Sequence, residues 1–184
     1  AALPAAEQPA WRDYLARSEA LGAADEKFYA DERKAQALNK PLVPNRGRSL
    51  PLKNPDTWYT SAEARRAADI TVSFQTPAGG WNKNTDFKTA PRRPGERSGY
   101  EAGYVGTIDN DATITPLRFL AKSITAAPTH ARAAAWRTSF ARGLDYLLTD
   151  LQNRNVLLHK IETTVVPVSA SVSALTFGSS ISDV

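Results

Sequence analysis

Residues 79–107 carry six glycines and two prolines among scattered charges, directly after Pro77, and this stretch limits what the chain can fold into. No periodic element survives that density of breakers, so a long loop must separate the elements on either side. Loops of this length inside a compact domain are usually functional or disordered. On the N-terminal side, Thr60 and Glu63 stand in the T-x-x-E relation of a capping box, which predicts a helix starting at Thr60. Ala64, Ala67, Ala68, Thr71, Val72 and Gln75 follow at steps of three and four, until Pro77, Gly79 and Gly80 end the run. On the C-terminal side, Asp109, Asn110 and Asp111 can each cap a second helix, and Pro116 suits its first turn. Leu117, Leu120, Ala121 and Ile124 give that helix a buried face. Pro128 closes the gap, Thr129 can cap a third helix, and Trp136, Phe140, Leu144, Leu147, Leu148 and Leu151 mark one apolar stripe along it. On burial grounds the stripe is core, not a sugar platform.

The flanks are less regular. Residues 11–39 predict a surface helix or a pair of them broken near Gly22, with Trp11, Tyr14, Leu15, Leu21, Phe28 and Leu38 as sparse anchors. Residues 39–58 hold four prolines and no periodicity, which describes an extended connector. Nothing before residue 160 alternates as a strand. From Val166 to Val184 there are six serines, no basic residue and one acid, Asp183. VPVSASVSALTF alternates well enough for a strand but has no evident partner. The expected fold is mainly α: helical hairpins, long loops and an irregular C-terminal tail.

Composition removes several functions. Of 77 hydrophobic residues 30 are alanine, so only 47 are large enough to fill a core, and parts of the chain should pack loosely. The absence of cysteine excludes disulfides, zinc fingers and thiol catalysis. His130 and His159 are too few for a zinc enzyme or a histidine-based triad. No run approaches the roughly eighteen apolar residues of a membrane span. The isoelectric point is near 9.4, yet acids interrupt the basic residues almost everywhere. The densest excess is Lys83, Lys88, Arg92, Arg93 and Arg97 against Asp86 and Glu96. That local charge suits a polyanion, which need not carry phosphates, or simply a solvated loop. The opening AALPAAEQPA reads as what remains after signal-peptide cleavage, and equally as a cloned fragment.

Two segments stand out for chemistry. In Gly79-Gly80-Trp81-Asn82-Lys83-Asn84-Thr85-Asp86-Phe87, two glycines admit close approach of a ligand, Trp81 offers a flat face, and polar side chains surround it. The same residues could form a turn with the tryptophan folded back on the helix. In Gly106-Thr107-Ile108-Asp109-Asn110-Asp111-Ala112-Thr113-Ile114-Thr115, two acids within three residues and the neighbouring threonine hydroxyls could gather a hard cation such as calcium, though not at EF-hand spacing. Ordinary helix capping explains them as well. Both segments sit where helices start or stop, so both could lie at one end of a bundle.

Taken together, FQTPAGGWNKNTDF and YVGTIDNDATITPLRFLAK strongly resemble the pectate lyases of polysaccharide lyase family 10. There a GGWxKN segment precedes a TIDNxAT-x-T-x-x-FLA segment at about this distance. The resemblance covers roughly residues 11–151 and implies part of an (α/α) toroid whose grooved end holds the active site. It also implies calcium-assisted β-elimination of polygalacturonate by a secreted or periplasmic protein, expected to be a monomer with neither nucleic-acid nor membrane partners. Carried over by position, Asp109 would be the catalytic-centre aspartate and a calcium ligand. Asn110 would hold that aspartate or a sugar hydroxyl, Lys83 and Asn84 would grip substrate, and Trp81 would stack on a sugar ring or pack the loop. Asp111 stands where many relatives have glycine.

The resemblance also divides the chain. Residues 1–57 form an N-terminal extension and connector, residues 58–152 the first part of a catalytic module, and residues 153–184 a divergent tail. Relatives continue with a second GGWPQ-type segment and an arginine base in an R-x-Y-E context, neither of which follows here. The tail therefore reads as a frameshifted or replaced terminus, and the elimination is expected to be impaired. A non-catalytic galacturonan-binding protein is the second reading. A basic helical protein that binds nucleic acid or a partner through residues 83–97 is the third.

Overall fold

The computed structural model describes residues 5–47, 50–101 and 106–162. The chain is mainly helical: α1 (Gln8–Ala35), α2 (Ala62–Ser73), α3 (Ile114–Ala126) and α4 (Ala133–Glu162), with short 3-10 turns at Ala5–Glu7, Asp56–Thr60 and Asp109–Asp111. Among the described residues there is no strand, only the isolated bridges Leu42↔Glu96 and Arg46↔Thr85. No helix among them is long and apolar enough to cross a membrane.

Helix α1 is continuous through Gly22, the single helix of the two alternatives, without the expected break. One glycine costs an exposed helix only about 1 kcal/mol, too little to break a run of alanines and charged residues. Its packing is as sparse as its composition: Asp25 is its one buried residue, while Leu15, Leu21 and Phe28 are exposed. The end of α1 is instead tied down by polar contacts. Glu32 forms a two-pronged ion pair with Arg92 and accepts from Gly95 N–H at 2.9 Å. The Arg92 guanidinium lies over the rings of Phe28 and Tyr29 at 5.5 and 5.3 Å. Asp25 Oδ1 accepts from Ala78 N–H at 3.2 Å.

Helix α2 begins one residue later than the capping-box reading placed it. Ser61 is the N-cap and accepts from Ala64 N–H at 3.1 Å, while the Thr60 hydroxyl donates back to Thr57 carbonyl. Ala64, Ala67, Ala68, Ile70 and Thr71 face inward, small enough for close packing against α3 and α4. Around them Tyr59, Phe74, Trp81, Phe87, Leu117, Phe119, Leu120 and Trp136 form one core. Tyr59 and Phe119 are fully enclosed, their ring centroids 5.6 Å apart, each worth roughly 2–3 kcal/mol of burial.

The α2–α4 junction is polar and closed. Gln75 Nε2 donates to the carbonyls of Gly79 and Ser139, and Ser139 Oγ donates to Gln75 Oε1. Asp69 Oδ1 receives both the Trp136 indole N–H at 2.8 Å and Arg132 Nε at 3.0 Å. The predicted stripe on α4 is graded. Trp136 is buried, Phe140 and Leu147 are half-buried, but Leu148 is 46% exposed, which corrects its assignment to the core. Helix α4 passes without interruption through residues 153–162, where the tail was expected to begin. The expectations for the Leu151 side chain and for residues 163–184 lie outside the described residues.

Candidate functional site

The loop after α2 is built around Trp81. Gly79 turns it at φ +106°, and a Cβ there would stand 2.6 Å from Arg142 carbonyl oxygen, so a larger residue is excluded twice over. Trp81 then inserts into the core with no exposed surface, its indole N–H donating to Thr71 carbonyl at 2.8 Å. This corrects its assignment to substrate binding: neither face of the ring is available to a sugar. Its backbone N–H donates to Thr113 Oγ1 at 3.1 Å, and that hydroxyl donates to Thr107 carbonyl at 2.8 Å. Thr107 N–H returns to Trp81 carbonyl at 3.0 Å. Thr113 is the clip joining the two motif segments.

That clip brings the motif side chains to one place. Lys83 Nζ lies 2.6 Å from Asp109 Oδ2 and 3.9 Å from Glu101 Oε2. Asn84 Nδ2 donates to Glu101 Oε1 at 2.5 Å. Asp109 N–H is held by Thr107 Oγ1 at 3.1 Å. Asn84, Asn110 and Asp111 all adopt left-handed backbone conformations, φ between 52° and 59°, a region that asparagine and aspartate tolerate better than most residues. A small cavity of about 150 Å³ sits beside the pair, lined in part by Lys83, Asn84, Asn110, Asp111 and Thr115. Lys83, Asn84, Asp109 and Asn110 thus share one end of the fold, and Trp81 supports them from beneath.

The electrostatics follow from the pairing. The Lys83 ammonium, hydrogen-bonded to Asp109 and attracting it, holds that carboxyl below the usual aspartate range. Asp109 is more than half exposed, so the site faces solvent. Asp109, Asn110 and Asp111 do not cap α3; they form the 3-10 turn before it. Three of the five basic residues in 83–97 are engaged by carboxylates: Lys83 by Asp109, Arg92 by Glu32, and Arg93 by Glu96. The local basic excess is thereby largely neutralised.

The donor set does not fit calcium by itself. Among the described residues no cluster of three acidic or histidine side chains could hold a metal, and one oxygen of Asp109 is already given to Lys83. Calcium takes about six to eight oxygen ligands.

Residues 75–156 match the family model described as pectic acid lyase. Both motif segments fall inside that match, and α1 with the connector falls outside it. The matched stretch is therefore similar to a pectic acid lyase in the part of the fold that assembles the Lys83–Asp109 pair. No curated protein matches the chain. Sequence reasoning missed Glu101, which sits between Asn84 and Lys83. It lies in a Gly- and Tyr-rich stretch with no motif spacing to mark it.

Proposed function

We propose that the chain binds polygalacturonate at the Lys83–Asp109 site and is, by its chemistry, a pectate lyase of family 10. One observation carries this reading: two motif segments 26 positions apart converge so that Lys83 Nζ and Asp109 Oδ2 stand 2.6 Å apart. In β-elimination a base removes the C5 proton, α to the uronate carboxylate, and the C4–oxygen bond breaks. Negative charge builds on the carboxylate in that step, and an oriented ammonium is the group that stabilises it. Lys83 supplies that charge, and Asp109 with Glu101 orients it. Asn84 and Asn110 present amides able both to donate to and to accept from sugar hydroxyls.

The base is the weak point. Around the pair, Asp109 is committed to Lys83, and Glu101 to Asn84 and Lys83. That commitment favours a second reading for this chain, a galacturonan-binding protein whose elimination is impaired. Calcium in either case would draw most of its oxygens from the polymer's carboxylates.

Affinity electrophoresis through polygalacturonate tests the shared part of both readings. Migration should be retarded, and Lys83→Ala should lose about tenfold in affinity, as for a charged hydrogen bond. Equal retardation of the wild type and of Lys83→Ala would remove the site from the proposal.

A further inference from the structure

The connector between α1 and α2 is fastened along the loop that carries the site. Leu42 N–H donates to Gly95 carbonyl at 3.0 Å, and Leu42 carbonyl accepts from Arg97 N–H at 2.9 Å. Further on, Arg46 bridges Thr85, and Gly47 N–H donates to Asn84 carbonyl at 3.1 Å. A Cβ at Gly47 would stand 2.2 Å from Asp86 Cα, so only glycine lets the connector lie this close. Gly47 also lines the small cavity together with Lys83, Asn84 and Asn110. The connector falls outside the residues that match the family model, yet it supplies part of one wall of the site.

Two side chains stand at that seam. The Arg46 guanidinium lies 6.0 Å from the ring centroid of Tyr100, and Tyr100 is 43% exposed. Among the described residues no carboxylate pairs with Arg46, whereas Lys83, Arg92 and Arg93 each have one. Tyr100 precedes Glu101, which reaches Asn84 and Lys83, and Arg46 precedes Gly47 at the cavity. Cation and ring therefore both adjoin the Lys83 cluster. A guanidinium held by an aromatic ring rather than by a carboxylate keeps its charge available for an anion.

We propose that Arg46 and Tyr100 form a second uronate subsite beside Lys83, with Arg46 taking the carboxylate and the Tyr100 ring packing against the sugar. This rests on the galacturonan reading and adds a specificity to it, the recognition of two uronates of one polymer chain. Polygalacturonate carries a carboxylate on every sugar, so a polymer held at Lys83 brings further carboxylates to the cation beside it. The planar guanidinium meets a carboxylate with two parallel hydrogen bonds, which an ammonium cannot do. The exposed tyrosine ring offers the apolar face that Trp81, wholly buried, does not.

Affinity electrophoresis of the whole chain through polygalacturonate, with melting temperatures measured alongside, tests the subsite. Arg46→Gln should bind about tenfold more weakly, and Arg46→Lys should recover only part of that loss. Tyr100→Ala should weaken binding roughly two- to fivefold, while Tyr100→Phe, which keeps the ring, should bind as the wild type does. None of the four should shift the melting temperature appreciably, because both side chains are exposed. Arg12→Gln removes the same charge from α1 and should leave retardation unchanged. The subsite is overturned if Arg46→Gln and Tyr100→Ala are both retarded like the wild type, or if Arg12→Gln weakens binding as much as Arg46→Gln. The galacturonan reading survives either result as long as Lys83→Ala loses affinity. A wild type that is not retarded at all overturns both.

Discussion

Gly143 of α4 lies so close to the six-membered ring of Trp81 that a Cβ added there would stand 2.5 Å from Cζ3 and 2.9 Å from Leu117 Cδ2. The helix thus gives up a side chain to seat the indole, and the indole holds the backbone that leads to Lys83. Gly143→Ala should overpack this contact and cost about 1–3 kcal/mol. Polygalacturonate retardation should weaken along with the urea midpoint. A full loss of stability with intact retardation would show that Trp81 does not position Lys83.

Glu32→Ala should release the end of α1. The Arg92 side chain is 7% exposed and that of Glu32 20%, so removing one partner strands a nearly buried guanidinium. The expected cost is about 2–3 kcal/mol, below the ~3–5 kcal/mol of a fully buried pair. Hydrogen exchange should quicken through residues 8–35 and leave α2 and α3 protected. Unchanged exchange in α1 would mean that Asp25 and the Phe28 and Tyr29 contacts hold the helix alone.

The periodic parts of this fold were legible because burial and spacing agree there. Leu117, Leu120 and Trp136 fall where a 3.6-residue repeat places them. The cap of α2 was misplaced by one residue because Thr60 and Ser61 are both competent caps, and the preceding 3-10 turn decides between them. The role of Trp81 was not legible. A tryptophan beside two glycines fits an exposed platform and a folded-back turn alike, and only the space above Gly143 settles it. The Lys83–Asp109 approach was legible as a shared end but not as a contact, because the Thr113 clip that sets it gives no pattern in sequence. Asp25 was invisible among neighbouring charges on a surface helix.

Asp25 should leave a pH signature of unusual sign. Burial pushes its carboxyl up to about 6 against an unfolded value near 3.8, with only Ala78 N–H and the Arg142 charge opposing. The native state therefore holds a proton that the unfolded chain has lost, and this contribution to stability falls as pH rises from about 4 to 6. Above that range the penalty is on the order of 2–3 kcal/mol. The stability of Asp25→Asn relative to wild type should grow across that window, followed by melting temperatures of both proteins. A difference independent of pH would mean that Asp25 ionises normally.

Calcium should bind the chain weakly when polymer is absent. With Asp109 paired to Lys83 and no cluster of three acidic or histidine ligands among the described residues, calorimetry should give a dissociation constant weaker than about 10⁻⁴ M. Micromolar binding that disappears in Asp109→Ala would reveal a cage that these carboxylates do not form on their own.

Elimination itself is the most discriminating measurement, because it needs positive charge on the carboxylate and a base at C5 in the same complex. On the proposed reading Lys83 would supply the first, and pairing keeps Asp109 ionised below the usual aspartate range, so the charge arrangement should persist into mildly acid solution. As pH falls through the lowered Asp109 value, the carboxylate protonates and its hold on Lys83 is lost, so binding should weaken there. Among the described residues the carboxylates of Asp109 and Glu101 are committed to Lys83 and Asn84, and losing one member of a cooperating catalytic set costs roughly 10⁴-fold or more. Little ultraviolet-absorbing unsaturated product is therefore expected from polygalacturonate with calcium, even where retardation in the gel is strong. Rapid formation of that product, lost in Lys83→Ala, would keep the lyase reading and require a base from elsewhere in the chain. Reducing ends appearing without unsaturation would mean that water, not elimination, cleaves the polymer, and the lyase reading would fall.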